Sequence, residues 1–362
     1  MKTLFSAILA SVLLTVCNLA QAQDTPSRDT IHVNFLEGLS KGDVLPFKYI
    51  YQRAKVMEDT TIMCSISKDI SLEVLENDKE NHWVLISVVQ ENYVKAGPEA
   101  NKPQYSGSTF LLKDGHPLEI AVSYSGDMAM VDRPDTLVSR AARNLDYVSD
   151  TLANSVLNKA GLSKEQWKEL FSEMQDTSTV MWNAVSDIYD LFFFGAYDYE
   201  ADTAYTNIDS IFCETTKQTY YYGRRFGWDK TFSDNNESYS DMYVFRSFYR
   251  IDGIPFLERL YDPIPLTEEV AEELLKKADP KRCIHIMELS ELADKGAGIP
   301  ILLEKTCLDG YYAEVGDDYM KITKEVLALD IEKLLAQEGD DDDEEDEDDQ
   351  PRYDDYGFIK VK

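Results

Sequence analysis

The stretch IMCSISKDISLEV, residues 62–74, decides the fold of this chain because it alternates between apolar and polar side chains. Successive side chains of a β-strand point to opposite faces, so the alternation predicts a long strand with one buried face and one wet face. The apolar set is interrupted at one position, by Lys68. Strands of this kind are typical of antiparallel sheets, which can leave one face in water.

Further strands are expected on both sides of this stretch. β-branched and aromatic residues are concentrated in the runs 47–54, 83–89, 118–122, 215–226, 242–251, 256–261, 301–315 and 319–329. Asp114-Gly115 and Asp252-Gly253 lie between such runs, and an Asp-Gly pair is a strong hairpin signal.

Between the strand runs the apolar period changes to three and four residues, which predicts helices. Helices are expected at 145–161, from Ser163, at 178–195, at 267–280 and at 330–337. The Ser163-Lys-Glu-Gln166 sequence is a capping box that would begin the second of them. We therefore expect an α+β fold of curved antiparallel sheets covered by helices, arranged as two β-then-α units at 31–195 and 213–337.

Residues 1–22 are expected to be a signal peptide. Lys2 precedes an apolar run at 4–14, and Ala20-Gln-Ala22 offers small residues before a cleavage site at Gln23. Leu14-Thr-Val-Cys17 resembles a lipobox, but a valine precedes Cys17 where a small residue is usual, so cleavage before Gln23 is favoured over a lipid anchor. We expect an exported protein, periplasmic or on the outer surface, that does not span the membrane.

The chain is strongly acidic, with a formal net charge of −31. Such a field repels nucleic acid and attracts cations and basic partners. Residues 340–349 are all Asp or Glu, and ten adjacent carboxylates cannot bury enough apolar surface to offset the entropy of ordering. We expect segment 338–355 to be disordered and to bind divalent cations only weakly.

No catalytic or cofactor motif withstands inspection, and we expect no bound cofactor or metal. Gly38-Leu-Ser40-Lys-Gly42 matches the G-x-S-x-G pattern of hydrolases, but that motif requires a strand before it and a helix after it, and here a strand run follows. Export permits disulfides. Cys283 and Cys307 are the preferred pair among Cys64, Cys213, Cys283 and Cys307, and four buried free thiols are the alternative.

Two resemblances add to this interpretation. Lys41-Gly42-Asp43, the aromatic strand after it and the run 113–119 resemble uncharacterised secreted bacterial envelope proteins, whose sheet is similar to the half-barrel of LolA-type lipoprotein carriers. The second concerns Asp-Ser/Thr sequences followed by an apolar residue or Thr, which resemble the O-glycosylation sites of some Gram-negative bacteria. The acceptors would be Thr30, Thr60, Thr136, Thr151, Thr203 and Ser210.

The function that these observations favour is that of a non-enzymatic cell-envelope protein, with a binding or scaffold role toward an unidentified ligand or envelope protein. One alternative is a carrier of an apolar ligand or of a lipoprotein acyl chain, as the first resemblance implies. The other is a hydrolase that uses Ser40.

Overall fold

A computed structural model gives the fold. It describes residues 29–56, 60–98, 117–130, 149–150, 153, 163–170, 185–213, 216–253, 255–256, 283–296, 298–311 and 319–338. No helix within these ranges is both long enough and apolar enough to cross a membrane.

Thirteen strands are found in the described ranges, and eleven of them form one antiparallel sheet. The strands of the large sheet are β2 (Val44–Val56), β3 (Thr60–Asp78), β4 (Trp83–Ala96), β5 (Leu118–Ser123), β6 (Met128–Met130), β8 (Tyr205–Cys213), β9 (Gln218–Trp228), β10 (Met242–Asp252), β11 (Ile284–Asp294), β12 (Pro300–Tyr311) and β13 (Tyr319–Leu329). The remaining two, β1 (Thr30–His32) and β7 (Asp198–Glu200), pair with each other in a separate small sheet.

The first and last long strands of the sheet lie side by side at its centre. β2 pairs with β13, with Phe47 opposite Leu329 and Val56 opposite Met320. β3 to β6 follow in chain order on one side of this seam, and β12 down to β8 follow on the other side. The strands of both expected β-then-α units therefore belong to one continuous sheet.

The predicted alternation is confirmed in β3 from Cys64 to Val74, where the apolar members are buried, but Ile62, on the other side of a register shift, is 49% exposed. Their face, which we call the inner face, carries the hydrophobic core. Buried core residues from neighbouring strands include Leu45, Phe47, Ile70, Leu72, Ile86, Phe245, Leu303 and Leu327. The opposite, outer face carries the polar alternates.

Residues 185–196 lie over the inner face, and we call them the covering segment. They begin as α-helix and continue as the 3-10 turns Asp190–Phe192 and Phe194–Ala196. Phe192 stacks on Phe35 with ring centroids 5.7 Å apart, and Phe194 stacks on Phe245 at 5.3 Å. The segment thus closes the core from the side opposite the strands.

The antiparallel, strand-rich character of the fold is confirmed, but the expected cover of helices is not, because the described helices are few and short. Besides the helical turn that begins the covering segment, they include α1 (Phe35–Gly38), α2 (Lys164–Leu170), α3 (Lys230–Asp234) and α4 (Ile331–Glu338). α2 begins as predicted. The side chains of Ser163 and Gln166 exchange hydrogen bonds with each other's backbone N–H groups at 3.2 and 2.8 Å.

The hairpin predicted at Asp252-Gly253 is wrong. Asp252 ends β10 opposite Ile284 of β11, so its partner is about thirty residues away along the chain, and residues 257–261 of the expected return strand lie outside the described ranges. Gly253 adopts φ +70° and donates its N–H to the Cys283 carbonyl at 2.9 Å, while Pro255 and Phe256 are helical rather than extended. The positive φ that an Asp-Gly pair supplies is used here to leave the sheet.

Candidate functional site

Lys68, the interruption in the alternation of β3, lies under the covering segment. Only 3% of Lys68 is exposed, and its ammonium forms an ion pair with Asp187 of that segment. It also donates to Oε1 of Gln90 at 2.9 Å and lies 4.7 Å from the ring centroid of Tyr49. Burial lowers the pKa of Lys68, and Asp187 opposes that effect. A charge so placed is retained only because its partner is buried with it.

A second ion-pair group lies beside the first. The carboxylate of Asp190 accepts from Nζ of Lys305 at 2.8 Å and lies 3.8 Å from a guanidinium nitrogen of Arg224. The Arg224 guanidinium packs 3.7 Å from the centroid of Phe193 and donates to Ser247 at 2.7 Å. Burial alone would lower the pKa of Lys305, but Asp190 raises it above its usual range. Both carboxylates belong to the covering segment and the cations to the sheet, so these pairs hold the segment in place.

Two further carboxyl groups lie on the same face, Glu325 half-buried and Glu291 buried. Tyr49 donates its hydroxyl to Oε2 of Glu325 at 3.3 Å, and burial raises the pKa of Glu325. Glu291 is fully buried, burial raises its pKa well above the usual range, and its Oε2 has no hydrogen-bond partner among the described residues. A carboxyl group in such surroundings stays protonated more readily than one in water.

His285 lies within a row of hydrogen-bonded polar side chains elsewhere on the inner face. Its Nδ1 lies 2.6 Å from Oδ1 of Asp309, and its Nε2 lies 3.3 Å from the Tyr249 hydroxyl, so both ring nitrogens have a hydrogen-bond partner. Burial would raise the pKa of Asp309, but the bonds from His285 and from Lys321, at 2.7 Å, bring it below its usual value. Phe256 stacks on the imidazole ring. The row satisfies each polar group and leaves the histidine covered.

Ser40, the candidate nucleophile, lies in a turn. A helix, α1, precedes the turn and a strand, β2, follows it, which is the reverse of the order that a nucleophile elbow requires. The Ser40 N–H donates to the Asp43 carboxylate at 2.6 Å, and Gly42 adopts φ +94° and donates to the Val74 carbonyl at 2.8 Å. The glycines and the serine of the motif thus serve the entry into β2.

The disulfide predicted between Cys283 and Cys307 is not formed, because the register of the sheet keeps the two residues apart. Cys307 is opposite Met287, four positions along the chain from Cys283. At about 3.3 Å per strand residue the separation is roughly 13 Å, well beyond the Cα distance that a disulfide spans. No disulfide joins any two of the four cysteines in the described ranges, and the alternative of four buried thiols holds for three of them, because Cys307 is half-buried.

Among the described glycosylation sites, Thr30 and Thr203 lie near each other, because Thr30 pairs with Glu200 and the Thr203 N–H donates to the Glu200 carbonyl at 3.2 Å. Three of them are exposed on strands, namely Thr30, Thr60 and Ser210. Thr203 is half-buried beside β7, and Thr136 and Thr151 lie outside the described residues. Of the acidic segment, Glu338 ends α4, and 339–355 are not described.

The outer face of β8 and β9 exposes several large apolar side chains, although no sequence pattern pointed to it. The exposed fraction is 70% for Ile208, 54% for Phe212 and 73% for Tyr221. The register places Ile208 opposite Gly223 and Ser210 opposite Tyr221, so these residues share one face. β8 is also the last strand of the large sheet, and no described strand pairs with its outer side. We call Ile208, Ser210, Phe212 and Tyr221 the edge surface.

The edge surface differs in kind from the buried polar groups. Lys68, Asp187, Lys305 and Asp190 satisfy one another under the covering segment, whereas the edge surface leaves apolar area in water. Soluble proteins seldom expose adjacent large apolar side chains without a use for them. An unpaired strand edge is in addition a template for another strand.

In the part of the chain that the structure describes, no group of three or more His, Cys, Asp or Glu side chains is arranged to hold a metal ion. No protein-family model matches the chain, and no curated protein matches it in sequence.

Proposed function

We propose that this chain is an exported, non-enzymatic binding or scaffold protein of the cell envelope that contacts its protein partner through the edge surface. The observation that carries the proposal is the exposure of Ile208, Phe212 and Tyr221 on the last two strands of the sheet. Apolar and aromatic side chains in contact are the usual centre of a protein interface.

The way in which the chain uses its charged residues supports a binding role over a catalytic one. Lys68 and Lys305 are each committed to a carboxylate of the covering segment. His285 is engaged at both ring nitrogens and covered by Phe256. Where the covering segment lies, the inner face is filled by the protein's own side chains.

The test is site-specific photo-crosslinking in the producing cell. A photoreactive residue at Ile208 is expected to yield a discrete crosslinked product, whose protein component is identified by mass spectrometry. The matched control is Val94, which is 59% exposed on the outer face of β4 and far from β8.

The crosslink at Ile208 should also disappear when Phe212→Glu is introduced, because a charge in the apolar patch must be desolvated on binding. Equal products from Ile208 and Val94, or none at Ile208, would refute the edge surface as the binding site.

A further inference from the structure

The residue pattern of β8 fits a particular partner, a second copy of the same strand. We propose that two chains associate through antiparallel β8–β8 pairing about a twofold axis centred on Ser210, which joins their sheets into one. This inference rests on the proposed function, because it identifies the partner of the edge surface.

The register follows from which residues would stand opposite one another. In antiparallel pairing centred on Ser210, Ile208 of each copy faces Phe212 of the other, and Asp209 faces Ile211. The twofold axis is normal to the sheet, so both outer faces lie on the same side. Two Ile–Phe cross-strand pairs form there, and apolar pairs of this kind stabilise strand pairing.

Neighbouring registers are less favourable. A twofold centre on Asp209 would place the two Asp209 carboxylates directly opposite each other, and like charges in that position are destabilising. A centre on Ile208 would leave both Phe212 side chains beyond the paired residues. Only the Ser210 register uses both exposed apolar residues of β8 and avoids a like-charge pair.

The second strand of the edge extends the contact. Tyr221 of β9 stands beside Ser210, so the central row across the interface would read Tyr221, Ser210, Ser210 and Tyr221. Gly223 stands beside Ile208, and a Cβ there would lie 3.9 Å from Cδ1 of Ile208 and 3.2 Å from Thr206. The absence of a side chain at Gly223 leaves Ile208 room to lie flat against the sheet.

Charge sets the conditions for this association. Each chain carries a formal net charge of −31, so two copies repel at long range. Salt screens that repulsion, with a Debye length of about 10 Å at 0.1 M, whereas apolar cross-strand contacts are not weakened by it. The dimer should therefore tighten as salt is added, which is opposite to the behaviour of an interface held by ion pairs.

The test is sedimentation equilibrium of the purified unmodified chain in low and high salt. The wild-type protein should reach twice the mass of one chain, with at least a threefold smaller dissociation constant in high salt. Val94→Lys, a charge on another exposed apolar residue of the outer face, should leave dimerisation unchanged.

Ser210 makes the register itself testable. Ser210→Asp and Ser210→Lys each place like charges face to face at the twofold centre, and each should raise the dissociation constant at least tenfold. Mixing the two variants places opposite charges there and should restore a heterodimer. Circular dichroism of each variant, expected to match the wild type because Ser210 is exposed, excludes misfolding as the cause.

A wild-type chain that stays monomeric in high salt, or a Ser210→Lys protein that still dimerises, would overturn the proposal. If the chain is monomeric while a photoreactive Ile208 captures a different protein, self-pairing is wrong and the proposed function stands. If Ile208 captures no protein, the two fail together.

Discussion

Replacing Lys68 with methionine should destabilise the protein severely, because it leaves the carboxylate of Asp187 buried without its cation. The side chains of Lys68 and Asp187 are only 1% and 10% exposed, and the ammonium also serves Oε1 of Gln90. Methionine retains most of the aliphatic stem of lysine, so the decrease in the free energy of unfolding measures the removal of the charge. Breaking a buried pair from one side costs about 3–5 kcal/mol.

The assay is urea denaturation followed by circular dichroism, with the free energy of unfolding obtained by linear extrapolation. Lys333→Met is the matched control. Lys333 pairs with Asp69 at 2.9 Å, but its side chain is 51% exposed, and an exposed pair is worth about 0–1 kcal/mol.

The double variant Lys68→Met with Asp187→Leu distinguishes the effect of an unpaired buried charge from the effect of losing the whole ion pair. It removes both charges, and an apolar replacement of a buried pair is often neutral, so it should recover more than half of the loss caused by Lys68→Met. A Lys68→Met protein no less stable than Lys333→Met would refute the conclusion that this pair is buried and holds the covering segment. Simple additivity of the two single effects would show that the two residues do not act together.

Three further outcomes are expected. Glu291→Gln should stabilise the protein at pH 7 and change little near pH 4. Burial raises the folded-state pKa of Glu291 above the unfolded value of 4.5, so wild-type stability falls as the pH rises from 4.5 to the folded-state pKa. Urea denaturation at both pH values checks this, and a variant that is less stable than the wild type at pH 7 would contradict it. Gly227→Ala should lower the free energy of unfolding by about 1–3 kcal/mol, because the added Cβ would lie 2.3 Å from the Thr203 carbonyl oxygen. Gly223→Ala should lower the free energy of unfolding by less in the same assay, because the added Cβ would contact only the ends of side chains. Glycopeptide mapping of protein from the producing cell is expected to find glycan at Thr60, which is exposed and lies away from β8, and a bare Thr60 there would count against that site.

The strands were predictable from the sequence where burial is one-sided. In β3 the period of two is visible because one face enters the core and the other stays wet, and β13 matches its predicted bounds of 319–329. The Ser163 capping box was predictable because its two hydrogen bonds are local.

The features that the sequence could not predict depend on pairings between residues that are distant along the chain. The register of β11 and β12 separates Cys283 from Cys307, and nothing local to either cysteine encodes that register. The partner of Lys68 is 119 residues away along the chain, so the sequence showed that Lys68 interrupts the apolar alternation of β3 but did not show which residue pairs with it. A lysine at an apolar position of an otherwise regular strand is nevertheless a usable signal, because only a buried counter-charge makes it tolerable.

The edge surface was missed for a different reason. Ile208, Phe212 and Tyr221 are common residues of any strand, and a sequence does not say which strand is the last one in a sheet. That information arises only when the order of strands is known.

The seam between β2 and β13 has a consequence for biogenesis. During synthesis β2 emerges early, and the strand that completes its hydrogen bonding, β13, is the last strand of the chain that the structure describes. Until then the growing N-terminal meander has a thirteen-residue strand with one side unpaired. Such an edge invites association with other nascent chains, and contacts between the two ends of a chain form slowly. The pairing of β2 with β13 is therefore a late step in the folding of this protein. A chaperone that shields the unpaired edge of β2 would act before that step, and truncation before β13 would leave that edge exposed.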